Sequence, residues 1–141
     1  MEKEPFYKKI GLLILDKDGK RFMVCEKAKE NVTDDYIMPG GQLMEESDIA
    51  CLHSEIGEEL GCSVDTTSLE LIGEYRDIAA GRPDKEVMIR LYRGKIIGDP
   101  KPHSEIQRLH WIGVTDRTNP RISPIIRNKI IPDLIRRGII S

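Results

Sequence analysis

At 141 residues and a net charge of −2, the chain is sized for one domain, residues 1–141, that buries a core without disulfide or metal staples. A third of its residues are charged and few are aromatic, which argues against a disordered or membrane-spanning polypeptide, and no apolar run reaches transmembrane length. The opening Met1-Glu2-Lys3-Glu4-Pro5 lacks the basic-then-apolar pattern of a signal peptide, so a cytoplasmic location is expected. Cys25, Cys51 and Cys62 have no metal-ligand spacing and read as free, mostly buried thiols.

Phe6 to Leu15 is a strand candidate ending in the turn Asp16-Lys17-Asp18-Gly19-Lys20, and Arg21 to Lys27 follows as its hairpin partner. A polar loop leads to Tyr36-Ile37-Met38-Pro39-Gly40-Gly41. A helix is expected from about Ser47 to Leu60, stopped by Gly61 as a left-handed cap. Strands are expected at Leu69 to Ile78 and Glu86 to Ile96, joined by a loop through Gly81-Arg82-Pro83-Asp84, and again at about Arg108 to Gly113. Ser123-Pro124 opens a final helical stretch that Pro132 should kink or split. Strands on both sides of a central helix, with a terminal helix, predict an α/β (α+β) fold in which a mixed sheet lies between helices.

The charge is unevenly placed. From Glu30 to Tyr75 there are 12 acids and no Lys or Arg. Such a block is either a solvated acidic face or a site where a cation neutralises the repulsion. On a helical wheel Ile49, Leu52, Ile56 and Leu60 form the core-facing stripe, while Glu55, Glu58 and Glu59 gather on another arc. Three clustered carboxylates raise one another's pKa or demand a cation, and hard divalent ions suit oxygen ligands. Gly40-Gly41 permits a tight turn that can aim a carbonyl at a metal or bring backbone close to a phosphate.

The segment Gly40 to Cys62, GGQLMEESDIACLHSEIGEELGC, resembles the signature box of the Nudix hydrolases. That pattern is Gly, five residues, Glu, seven residues, Arg-Glu-apolar, one residue, Glu-Glu, one residue, Gly-apolar. Gly40, Glu46, Glu55, Ile56, Glu58, Glu59 and Gly61 match it, and Ser54 stands where the family has arginine. The resemblance extends more softly to Met38-Pro39-Gly40, Glu105-Ile106 and the Ser123-Pro124 helix, as in small bacterial MutT-like members. It implies a Nudix-type α/β/α sandwich and a hydrolase that cleaves a diphosphate linkage in a nucleotide-type small molecule with Mg²⁺ or Mn²⁺.

The resemblance assigns metal binding to the Gly40 carbonyl, Glu55, Glu58 and Glu59, with Glu46, Ser54 and Gly61 as box scaffold. Glu55 or a downstream loop carboxylate, for which Glu105 is the candidate, would act as general base, and Lys27 would meet the phosphates. A serine at 54 cannot form the arginine's bidentate fork. Another basic side chain reaches in, or the site is looser and slower, or the domain binds nucleotide without hydrolysing it. Tyr36 and Tyr75 either stack on a base or pack, and His53, His103 and His110 receive no metal role. The basic C-terminal stretch is a solvated face backed by Ile125, Ile126, Ile130 and Leu134, an isoleucine-rich surface that is also a candidate homodimer face. ADP-ribose enzymes of the family carry a proline where this chain has Asp77, and dinucleoside polyphosphate hydrolases a tyrosine where it has Ala79, which favours a nucleoside triphosphate-type substrate. Neither charge nor aromatic interleaving supports a nucleic-acid polymer as partner.

Overall fold

The computed structural model of the chain describes residues 5–28 and 35–141. The polar loop expected before Tyr36 and the first acid of the block, Glu30, fall largely outside that range. In chain order the elements are β1 (Tyr7–Leu13), β2 (Phe22–Lys27), β3 (Tyr36–Ile37), β4 (Gly40–Gln42), α1 (Asp48–Leu60), β5 (Ser63–Ala79), β6 (Arg82–Ile97) and β7 (Ile106–Ile112). A short 3-10 turn at Val114–Asp116 and a C-terminal helical stretch follow, the latter a π segment, Ile126–Ile130, continuing into α2, Ile131–Arg136.

The strands form a four-stranded sheet, β4-β1-β6-β5, and a three-stranded sheet, β3-β2-β7. The first is mixed, because β1 runs parallel to β6 and antiparallel to β4. The expected β1–β2 hairpin is corrected here. The turn does form, with Asp16 N–H donating to Arg21 C=O at 2.8 Å and Met23 N–H to Ile14 C=O at 3.1 Å. Beyond it the strands diverge, and each joins a different sheet.

Alternation along β1 and β2 sends side chains to two cores. Ile10, Leu12, Met23 and Cys25 meet Leu52, Ile56 and Leu60 of α1, whereas Leu13, Phe22 and Val24 meet Ile126, Ile130 and Leu134 of the C-terminal stretch. One helix therefore covers each side. Leu52, Ile56 and Leu60 are fully buried, and each contributes about 1.5–3 kcal/mol by leaving water. Ile49, expected on that stripe, is 49% exposed; the buried arc turns instead toward Cys51 and Glu59. Ile125, Ile126, Ile130 and Leu134 are core residues, so the proposed isoleucine-rich dimer face is not a surface. At Pro132 the interruption takes the form of a π segment followed by α2, within a continuous helical run. The chain widens into a π turn just before the proline, with Ile131 N–H bonded to Ile126 C=O, which accommodates a residue lacking an N–H.

β5 and β6 are longer than expected and meet in a tight turn at Ala80-Gly81, so Arg82 and Pro83 already belong to β6. Among the described residues no helix is long and apolar enough to cross a membrane. Cys25, Cys51 and Cys62 are free and buried, as the sequence predicts.

Candidate active site

The glutamate helix begins and ends as its sequence dictates. Ser47 caps it, its Oγ accepting from Ala50 N–H at 3.1 Å, and Gly61 closes it with φ 68 and its N–H on Gly57 C=O. Gly61 has a second constraint, since a Cβ there would lie 2.6 Å from His103 Nε2. Asp48 in the first turn is held by Arg90 Nη1 at 3.0 Å and by Tyr92 OH at 2.5 Å. The segment after β6 covers the other end, Lys101 N–H donating to Leu60 C=O and His103 N–H to Glu59 C=O. That docking brings Glu105 to the site, where its C=O accepts from Ala28 N–H and its carboxylate pairs with Lys27 Nζ at 3.1 Å.

Each glycine of the Gly40-Gly41 pair has its own reason. Leu12 N–H donates to Pro39 C=O and Leu43 N–H to Lys8 C=O, which makes Gly11 and Gly40 a non-hydrogen-bonded pair of the ladder. The N–H and C=O of Gly40 are thus left outside the ladder, and the N–H donates to Glu59 Oε1 at 2.8 Å. Gly40 has φ +142, and a Cβ there would sit 2.0 Å from Ile10 C=O oxygen. At Gly41 a Cβ would sit 2.2 Å from Glu55 Oε2, so the absent side chain is the space that the Glu55 carboxylate fills.

Burial pushes the Glu59 carboxyl up to about 7; Glu55 and Glu105 push the same way, and the Gly40 N–H and Lys27 oppose them. Glu55 is also raised, first by burial, then by Glu58 and Glu105. Among the described residues none of Glu55, Glu58 and Glu59 forms an ion pair. Lys9, which the sequence reading passed over, lies in the same cleft, its ammonium held low by burial and by Lys27 while Glu59 and Glu105 oppose.

These groups line a cleft of about 660 Å³ whose lining includes Lys9, Lys27, Gly40, Glu55, Glu59 and Glu105. Glu58 is exposed on the solvent side of the helix. Glu46 and Ser54 are exposed as well, and no described residue forms an ion pair with Glu46. Among the described residues, no three His, Cys, Asp or Glu side chains are gathered as a ready metal cluster. The donor chemistry fits a hard divalent cation even so: the donors are oxygens only, two carboxylates are kept above their usual range by burial and by neighbouring carboxylates, and one backbone carbonyl lies outside the ladder.

Tyr36 and Tyr75 are engaged elsewhere. Tyr36 stacks on His110, with centroids 4.3 Å apart, and the Arg121 guanidinium lies over its ring. His110 and Arg108 in turn hold the buried Glu26 carboxylate at 3.0 and 2.8 Å, lowering its pKa although burial acts the other way. Tyr75 OH donates to Asp133 at 2.6 Å.

A sequence model of the NUDIX domain matches residues 6–134. The chain belongs to the Nudix family. Membership makes it a hydrolase of pyrophosphate bonds in nucleoside diphosphates linked to a further group, and Nudix hydrolases generally use a divalent metal. Solved structures share the Nudix fold at low identity. The MutT protein from Methanosarcina mazei Go1 is 17% identical, with a TM-score of 0.75 over 98% of this chain and 99% of its own. The ORF135 protein of E. coli gives 0.69 at 16% identity over 94% and 91%, and a NUDIX hydrolase from Nitrosomonas europaea 0.66 at 19% over 96% and 88%. None of the curated proteins compared matches the sequence. In the Nudix frame, the missed Lys9 had a signal: Lys8-Lys9 within an apolar strand obliges one lysine to face inward.

Proposed function

We propose that this Nudix hydrolase is a cytoplasmic, single-domain pyrophosphohydrolase of the nucleoside triphosphate type, using Mg²⁺ or Mn²⁺. The observation that carries the reading is the joint placement of Glu55 and Glu59 against Gly40-Gly41 in a cleft that also presents Lys9 and Lys27. The Gly40 carbonyl, Glu55, Glu58 and Glu59 would hold the ions. When bound, a divalent cation neutralises phosphate charge and lowers the pKa of a water near phosphorus. Lys27 and Lys9 orient the anionic chain, and their charge on the carboxylates takes the place of the arginine missing at Ser54. Of the two candidate bases, Glu105 is engaged by Lys27, whereas Glu55 forms no ion pair among the described residues, so the base role is assigned to Glu55. Gly61 ends the box helix, and Glu46 would brace the box start only through a partner that no described residue supplies as an ion pair.

Asp77 accepts hydrogen bonds from Asn128 and from Ile78 N–H, so the position where ADP-ribose enzymes carry proline serves local structure here. A panel of nucleoside triphosphates, ADP-ribose and nucleotide sugars with Mg²⁺ or Mn²⁺, read by phosphate and pyrophosphate release, tests the assignment. Turnover of a triphosphate that is lost in Glu58→Gln supports it; equal rates in both proteins refute metal-dependent hydrolysis.

A second reading, a module that binds nucleotide without cleaving it, draws on the exposed Ser54 and on Glu46, which has no ion-pair partner among the described residues. Ser54→Arg separates the two. A working but loosely braced site should gain at most about fivefold in turnover, the scale of one surface ion pair. A pure binding module shows no turnover in either form.

A further inference from the structure

Away from the carboxylates, the lining of the cleft includes an aliphatic wall, Ile37, Met38, Val87, Ile89 and Ile125, alongside Tyr7 and Arg82. Ser123 lines the cleft too and is 2% exposed. Its N–H donates to Tyr36 C=O at 3.0 Å, which sets it beside Ile37. It precedes the C-terminal helical stretch, where a serine hydroxyl ordinarily caps the first turn. Here the backbone serves instead: Ser123 C=O accepts from Ile126 N–H and Arg127 N–H, both at 3.1 Å. The Oγ has no hydrogen-bond partner, and it is the one buried side-chain oxygen or nitrogen among the described residues in that state. A buried hydroxyl left unpaired opposes folding, and native chains keep few of them.

We infer that Ser123 is a specificity-determining residue, its hydroxyl completing a hydrogen bond with the edge of the planar, non-phosphate end of the substrate. The inference rests on the nucleotide reading of the cleft. Because a hydroxyl both donates and accepts, it meets a ring carbonyl or an exocyclic amine alike. Set in an aliphatic wall, such an anchor requires a polar edge without choosing between edges. At this anchor the site is therefore tolerant of the base: the four common nucleobases are expected to bind within about tenfold of one another, because the hydroxyl is left unpaired by none of them.

The test is calorimetric binding of AMP, GMP, CMP and UMP, with inorganic pyrophosphate as the base-free probe, to wild type and Ser123→Ala in Mg²⁺. Melting temperatures of the ligand-free proteins are recorded alongside. Losing one neutral hydrogen bond should weaken all four monophosphates by about 3- to 10-fold and leave pyrophosphate unchanged. The ligand-free variant should melt no lower than wild type, because the substitution removes an unpaired polar group. Equal monophosphate affinities in the two proteins would overturn the inference. So would an equal loss for pyrophosphate, a lowered melting temperature, a wild-type preference for one base beyond about a hundredfold, or no monophosphate binding by wild type. Turnover plays no part in this readout. A protein that binds monophosphates through Ser123 and cleaves nothing keeps the inference and refutes hydrolysis; one that cleaves triphosphates with Ser123 irrelevant does the reverse.

Discussion

Glu59→Gln is expected to stabilise the metal-free protein at pH 8 while lowering turnover by at least about 100-fold, more than loss of a supporting outer-shell partner costs a metal site. Burial lifts the Glu59 carboxyl from its ordinary 4.5 to about 7. Between those values the folded state keeps a proton that the unfolded state has lost, so stability falls as pH rises through this window. The stability from this group is fully present below about 4.5 and is gone above about 7, a difference of roughly 3 kcal/mol. Glutamine can still accept the Gly40 N–H and carries no charge, so it removes the slope. Thermal melts of EDTA-treated protein at pH 5 and pH 8 check this. A wild type and variant with the same dependence on pH would show that Glu59 carries no such penalty. Mg²⁺ should raise the wild-type melting temperature more at pH 8 than at pH 5, and raise that of the variant less.

The two glycines should fail in different ways. Gly40→Ala places a Cβ against the Ile10 carbonyl and the Gly11 Cα, at a φ of +142, and neither neighbour is a flexible side-chain end. Loss of at least about 3 kcal/mol is expected, visible as a large drop in the denaturation midpoint. The three atoms nearest a Gly41→Ala Cβ all belong to the Glu55 side chain, which can swing aside. That variant should fold nearly as well as wild type and lose about 100-fold in turnover, the cost of misplacing a reacting group by an ångström or so. Equal melting temperatures for the two variants, or full activity in Gly41→Ala, would contradict these assignments.

What could be read from the sequence was local. The helix from Ser47 to Gly61 carries its start and its stop within a few turns, and both stand in the structure; of its expected acid arc, Glu55 and Glu59 line the cleft, whereas Glu58 is exposed and outside the lining. Long-range facts were not encoded that way. Ile49 satisfies the helical period, yet it lies outside the buried arc of α1. The sequence gives no sign that Asp16 to Lys20 would turn the chain from one sheet into another, because a tight turn looks the same in either case. Lys27 and Glu105 could be named singly, but their contact depends on how residues 101–103 dock on the end of α1. Ser123 showed only as a helix opener, and its unused hydroxyl is a property of tertiary placement.

The parallel pairing of β1 with β6 has a kinetic consequence. Lys9 stands opposite Ile89, so the floor of the cleft joins residues that are 80 positions apart. Closing that loop must precede any reward from the contact, which places the chain among slower folders, on a scale of milliseconds to seconds. The acid helix, assembled from near neighbours, can form well before its surroundings do. In a nascent chain, then, the glutamates would be displayed to solvent before the cleft is complete.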